Sequence, residues 1–216
     1  MFTLEQFEEM CELQDRLETR ISAKDWREKE HDYRLCIHME CAELIDLYPW
    51  KHWKAAPADG VDLDAVAGEL VDIWHFALAY IIRNEQFNSL ACYEQFQLAI
   101  SDYDYEQVKN MDMSLAAIGL GYTLYARNQF YFGNFMHMCN LAKLSLDELY
   151  TLYVAKNVLN WFRQDRGYAD GRYIKMWAGR EDVEHLREIV EELGREDFDS
   201  AALYDALATR YSLLNI

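Results

Sequence analysis

The sequence predicts an all-α protein, a helical bundle formed as a single domain over residues 1–216. Three observations lead there. Only 2 prolines and 9 glycines occur in 216 residues, so few points force the turns that a many-stranded fold needs. Hydrophobic residues make up 51% of the chain, enough for one sizeable core. Those residues recur at three- and four-residue steps over long stretches, which is the period of a helix.

Residues 2–22 read as the first helix, with Phe7, Met10, Cys11, Leu17 and Ile21 on one stripe. Gln14 falls on the same stripe, either as an amide at the edge of a core or as one aimed inward to read a ligand. A second helix runs over roughly 33–48 and stops near Pro49, because proline cannot continue a helix. The stretch from Pro49 to Leu63 is a connection. Asp62 or Asp64 caps the next helix, about 64–83, by offering a carboxylate to unpaired backbone N–H groups. From Val71 onward that helix is apolar nearly all round, which marks it as central and buried. Its run ELVDIWHFALAYII is too short to span a bilayer. Helical patterns continue through about 88–100 and 112–142, and the middle segment, about 85–142, is packing, dimer surface or a lid. Ser145 with Glu148 forms a capping box that opens a helix through about Gln164. Gly167, Gly171 and Gly179 then give a loop of wide backbone freedom. Helices over about 181–193 and 197–212 complete the chain.

Charge and cysteine use narrow the classes of function. The net charge of −17 repels nucleic acid and anionic membrane, so neither is an expected partner. Small phosphate-bearing ligands stay open where metal ions or local basic residues neutralise them. The 5 cysteines are scattered, with no C-x-x-C pair, and read as buried free thiols in a reducing compartment. The N-terminus lacks the basic and apolar regions of a signal peptide, so the expected location is cytoplasmic.

Two pairs of acids stand out. Glu40 and Glu43 are three apart in HMECAELI, and Glu69 and Asp72 are three apart at the head of the buried helix. Residues three apart share a helix face. Burying an ionised carboxylate without a partner costs several kcal/mol or more. One such pair is an ordinary solvated helix edge. Two pairs on consecutive helices point to a common cation, and hard divalent ions such as Mg²⁺ take carboxylate oxygens. Di-iron bundles need Glu-x-x-His on two helices. Here Asp72 and His75 make one Asp-x-x-His and its mate is missing.

A second cluster is basic. Over 153–182, Lys156, Asn160 and Arg163 follow at steps of four and three on one helix face, with Asn157 and Gln164 nearby. Tyr168, Arg172, Tyr173 and Lys175 follow in the glycine-bearing loop. Cationic side chains on a flexible backbone suit a polyphosphate chain. Acids that hold metal and cations that hold phosphate together suggest metal-assisted attack by water on a phosphate anhydride.

Three blocks then carry a resemblance. ECAELIDLYPWKHWK, ELVDIWHF and KNVLNWFRQDRGYADGRYIKMW followed by GRED resemble, in order and spacing, the dimeric all-α dUTP diphosphatases of the all-α NTP pyrophosphatase (MazG-like) superfamily. The resemblance spans roughly 10–185 with a variable middle, and it implies a homodimer of that bundle type. It implies that Glu40, Glu43, Glu69 and Asp72 hold Mg²⁺, two or more ions per site. Glu43 is implied as the first choice of general base and Glu40 as the second. Lys156, Arg163, Tyr168 and Lys175 match phosphate-contacting positions, with Asn160 beside them. Gln14 matches a residue whose amide reads the uracil edge, and Trp53 lies in the implied base pocket. His75 and Phe76 match residues under the deoxyribose, where a ring excludes a ribo 2′-OH. The implied reaction is hydrolysis of dUTP, and of dUDP, to dUMP. The family commonly reads W-N-G-K-E-D-N where this chain has Trp177, Ala178, Gly179, Arg180, Glu181, Asp182 and Val183. Two amides are therefore lost, which leaves a dCTP or mixed pyrimidine diphosphatase as the alternative. A non-enzymatic acidic interaction protein is the distant one, and the basic 153–182 block speaks against it.

Overall fold

The computed structural model describes residues 2–56, 58–84, 86–194 and 199–214, and it is all-α apart from one two-residue β pairing. The helices are α1 (Leu4–Ser22), α2 (Tyr33–Asp46), α3 (Leu63–Ile82), α4 (Ser89–Ser101), α5 (Tyr105–Val108), α6 (Met113–Arg127), α7 (Phe132–Leu141), α8 (Leu146–Asp165), α9 (Asp182–Leu193) and α10 (Ser200–Ser212). Strands β1 (Met176–Trp177) and β2 (Arg180–Glu181) pair antiparallel. The expected start of the last helix at 197 lies outside the described residues.

Two compact units divide the chain, and the divisions fall within α1 and α8. The first unit holds residues 1–11 and 30–149. α2 packs along α3, α6 along α2, and α7 against α6, α4 and α3. The centre of this unit is Trp74, fully buried, stacked on Phe135 with ring centroids 5.0 Å apart. Its indole N–H donates to Met10 Sδ at 3.4 Å, so even the one polar atom of this ring is occupied. Phe2, Phe96, Phe130 and Phe132 surround the same indole. α3 is long and apolar enough to cross a membrane by composition alone, but its apolar residues form this core.

Local chemistry sets the helix ends. Asp62 accepts from the backbone N–H of Asp64 and Ala65 at 3.0 and 3.1 Å, so it is the cap of α3. Ser145 and Glu148 bond each other's backbone N–H, as the capping-box pattern predicts. α2 ends at Asp46, three residues short of Pro49. The helical pattern over 112–142 is two helices, because Asn128 turns left-handed at φ 51 and ψ 41; asparagine is among the few residues that tolerate this.

The second unit holds residues 12–29 and 150–216. Its core joins Ala155, Leu159 and Phe162 of α8 to Ile189 of α9 and Leu203 and Leu207 of α10, with Trp177 among them. Trp177 donates through Nε1 to Ile174 O at 2.8 Å. The β1–β2 turn places Ala178 at φ 49 and Gly179 at φ 85. A two-residue turn with both φ positive favours Asn-Gly. Alanine there bears a left-handed strain of about 1–2 kcal/mol. Ala178→Asn is expected to recover about 1 kcal/mol of that, read as a raised urea midpoint at unchanged slope.

Candidate functional site

The carboxylates of the first unit come from two helices that pack along each other. Glu40 and Glu43 stand one turn apart on α2, and Glu69 stands on α3. Their carboxylate oxygens lie within 4.8 Å of one another. Glu40 and Glu69 are half-buried and Glu43 is exposed. Asp72 is outside that close group, yet its charge reaches Glu40. Burial, then the charges of Asp72, Glu43 and Glu69, push the Glu40 carboxyl up to about 8. Without a cation the cluster therefore holds a proton more tightly than a lone carboxylate does. Crowding of this kind is the mark of like charges converging without a counter-ion. Three oxygen donors with surplus negative charge fit a hard divalent cation, and fit a soft one poorly. The neighbouring Cys41 thiol is raised to about 12 by burial and then by Glu40, so it stays protonated and is no thiolate ligand.

His75 follows Asp72 by three residues on α3 and is buried, with Nδ1 hydrogen-bonded to Val71 O at 2.8 Å. That bond turns the ring along its own helix. Phe76 is half-buried. Trp53 is 63% exposed and stands edge-on to Trp50 and His52, with centroids 5.7 and 4.9 Å away. Nearby, Lys51 pairs with Asp46 at 2.7 Å.

In the second unit the amides and cations sit on α1, α8 and the glycine loop. Gln14 is 2% exposed. Its Nε2 donates to Glu18 Oε1 at 3.0 Å, and its Oε1 accepts from the Tyr153 hydroxyl at 3.0 Å. One turn beyond Tyr153 on α8 lies Asn157, buried, whose Nδ2 has no acceptor among the described residues. Leaving such a group unpaired costs about 1–3 kcal/mol, so Asn157 is a donor suited to a ligand acceptor. Lys156 and Asn160 are half-buried on the same helix.

Arg163 is held more tightly than the sequence suggests. Its Nε and Nη2 donate to the two oxygens of Asp182, each at 2.8 Å, and its Nη1 donates to Asn160 Oδ1 at 3.0 Å. The Tyr173 hydroxyl donates to Asp182 Oδ2 at 2.7 Å. Burial raises the Asp182 carboxyl, but hydrogen bonds and charge from Arg163 outweigh it and leave the carboxyl below its ordinary value. Burial and then the bond to Asp182 push the Tyr173 hydroxyl far up. Of the five guanidinium N–H groups, three are spent in these bonds, and among the described residues one on each Nη has no partner. Guanidinium N–H groups left over in this way suit phosphate oxygens. The Tyr168 ring lies 5.9 Å from the guanidinium carbon and is half exposed. Lys175 is exposed and paired with Glu181 at 3.1 Å.

Sequence reasoning passed over Glu18 and Asp182. Both are buried acids at helix positions where a charged residue ordinarily marks a solvated face. Glu18 lies four residues after Gln14, the spacing of two side chains that touch on a helix, and that was its available signal. Cys36 and Cys92 are half-buried and not fully buried, and all five thiols are free.

An all-α chain with three carboxylates converging between two helices, and with a guanidinium that keeps N–H groups to spare, has the parts of a metal-dependent nucleotide hydrolase. A family profile described as dUTPase matches residues 6–168. The chain belongs to that family, the dimeric all-α dUTPases, and the activity it carries is dUTP diphosphatase. No curated protein matches the chain.

Proposed function

We propose that the protein hydrolyses dUTP to dUMP and diphosphate, and dUDP to dUMP and phosphate, in a Mg²⁺-dependent reaction that supplies dUMP and clears dUTP from the nucleotide pool. The observation that carries the proposal is the convergence of Glu40, Glu43 and Glu69 within 4.8 Å in a chain of this family. In this reading those three carboxylates and Asp72 hold two or more ions. When bound, the metal neutralises charge on the phosphate chain. Glu43, the exposed member of the cluster, accepts the proton of the attacking water. Glu40 is the second choice of base, since a carboxylate that holds metal can also accept the proton. Lys156, Arg163 and Lys175 hold the leaving diphosphate, with Tyr168 and Asn160 beside them. Gln14 and Trp53 meet the uracil, and His75 and Phe76 lie under the deoxyribose.

The protein is proposed to work as a homodimer in the cytoplasm. A surface suited to a second copy lies on α2 and α6. Leu35, Met39, Leu115, Ile118, Tyr122 and Tyr125 are each 48–65% exposed. α6 carries no acid, and Arg127 at its end is its one base. Two copies each charged at −17 approach with least repulsion where the acid-free α6 contributes to such a face. Sedimentation equilibrium is expected to give twice the monomer mass.

The test of the activity is a panel of nucleotides with diphosphate detection. dUTP is expected to be the fastest substrate, dTTP slow because of its C5 methyl, and UTP slow because of its 2′-OH. A panel in which dUTP is not turned over would remove the proposal.

A further inference from the structure

We infer that Glu18 is a specificity-determining residue, which admits uracil and rejects cytosine by fixing the amide of Gln14 in one orientation. The inference rests on the reading above in which Gln14 meets the base.

A glutamine amide can donate through nitrogen or accept through oxygen, and turning it by half a revolution exchanges the two. Left free, Gln14 would therefore serve either pyrimidine. Uracil offers an N3–H and a carbonyl at position 4. Cytosine offers a bare N3 and an amino group there, so its donors and acceptors stand in the reverse order. Discrimination requires something that forbids the turn.

Two groups hold the amide, and only one of them can forbid it. The Tyr153 hydroxyl donates to Gln14 Oε1 at 3.0 Å. A hydroxyl also accepts, so Tyr153 by itself does not forbid the turned amide. Glu18 accepts from Gln14 Nε2 at 3.0 Å. An ionised Glu18 carboxylate only accepts, so a turned amide would set its own oxygen against the Glu18 oxygen. Gln14, Glu18 and Tyr153 are 2%, 6% and 0% exposed, so water does not relieve that repulsion cheaply. After the two bonds Gln14 retains one N–H and one acceptor lone pair, in a fixed order. A base that matches that order gains two hydrogen bonds. The other base meets acceptor with acceptor and donor with donor. Because the chain is a dUTP diphosphatase, the fixed order is the one that suits uracil.

Glu18→Gln tests this. The replacement has nearly the same shape, and its amide both donates and accepts, so either orientation of Gln14 is satisfied. Wild type, Glu18→Gln, Tyr153→Phe and Gln14→Ala are compared in competition between equal dUTP and dCTP. Wild type is expected to favour dUTP by at least about 10-fold in kcat/KM. Glu18→Gln is expected to bring the ratio to within about 3-fold of unity, by a gain on dCTP with dUTP turnover little changed, since only the rejected base was blocked. Tyr153→Phe is expected to keep the wild-type ratio. A protein that is merely destabilised loses both substrates together and leaves the ratio where it was. An unaltered ratio in Glu18→Gln overturns the inference. If Glu18→Gln does not fold, Tyr153→Phe decides: a retained ratio supports Glu18 as the selector, and a lost ratio overturns it. Gln14→Ala with the full wild-type ratio would instead show that Gln14 does not meet the base, and a wild type that ignores dUTP would remove the functional reading itself.

Discussion

Glu40→Gln is expected to lower dUTP turnover at least about 100-fold, because it removes one of the carboxylates proposed to hold the metal, whose charge stabilisation is worth several kcal/mol, and to stabilise the metal-free fold. The sign follows from the direction of the shift. The Glu40 carboxyl ionises near 8 in the folded protein, against 4.5 for an unperturbed group. Where the folded state binds the proton more tightly than the unfolded chain, stability falls as pH rises. The contribution is therefore fully present below about pH 4.5 and lost progressively as pH approaches 8. Glutamine at position 40 has no proton to lose, so its melting temperature in EDTA should overtake that of wild type across this window and stay above it at pH 8.5. Mg²⁺ should reverse the order, because a cation bound by the folded state stabilises it and relieves the repulsion that the variant lacks. Thermal melts at pH 5, 7 and 8.5, each with EDTA and with Mg²⁺, measure all of this. Equal melting temperatures in EDTA at every pH would mean that Glu40 carries no unrelieved charge.

Arg163→Ala is expected to cost about 3–5 kcal/mol of folding stability, because it strands a carboxylate that is wholly buried. Asp182 has a side chain with 0% exposure and Arg163 one with 11%. With Arg163 in place the Asp182 carboxyl lies below its ordinary value, so the pair stabilises the fold above the unfolded pKa of an aspartate, and this is lost as pH falls. Without Arg163, burial raises Asp182 against only the Tyr173 hydrogen bond and the charge of Lys175. The deficit of the variant should therefore narrow as pH falls toward 4, where the stranded group is protonated. Urea unfolding at pH 7.5 and pH 4.5 reads the difference. An equal deficit at both pH values would mean that the lost packing of the arginine stem, and not the bare carboxylate, sets the cost. This also changes how activity data on Arg163 are read, since a fall in turnover speaks of phosphate contact only after the folded fraction is known.

Much of the fold was legible because long helices repeat their signals. Trp74, Leu78 and Ile82 of α3 repeat at helical spacing and are all buried. Asp62, and Ser145 with Glu148, cap helices by chemistry that is local in sequence. The acid pairs were legible for the same reason, as three-residue spacing is a statement about one helix. What was not legible depends on partners distant in sequence. The β1–β2 pairing is too short for any alternation to show, and it exists because Trp177 is buried and Ala178–Gly179 can turn. Arg163 looked like a free cation, and only the fold brings Asp182 and Tyr173 to it. Glu18 went unremarked, because only the fold brings Tyr153, 139 residues after Gln14, to the same amide. The two-amide departure at Ala178 and Val183 looked like a change of substrate contact. In the fold position 178 lies in the β1–β2 turn at φ 49, and Val183 packs against the core of α8, α9 and α10.

The central claim is that the carboxylate cluster of α2 and α3 is the metal centre of a dUTP diphosphatase, and the most direct measurement is dUTP hydrolysis by the metal-stripped protein. Product analysis before and after Mg²⁺ is returned should show no turnover in EDTA, then dUMP and diphosphate in equal amounts once Mg²⁺ is restored, with no such recovery in Glu40→Gln. Undiminished hydrolysis in EDTA, or full recovery by Glu40→Gln, would contradict it.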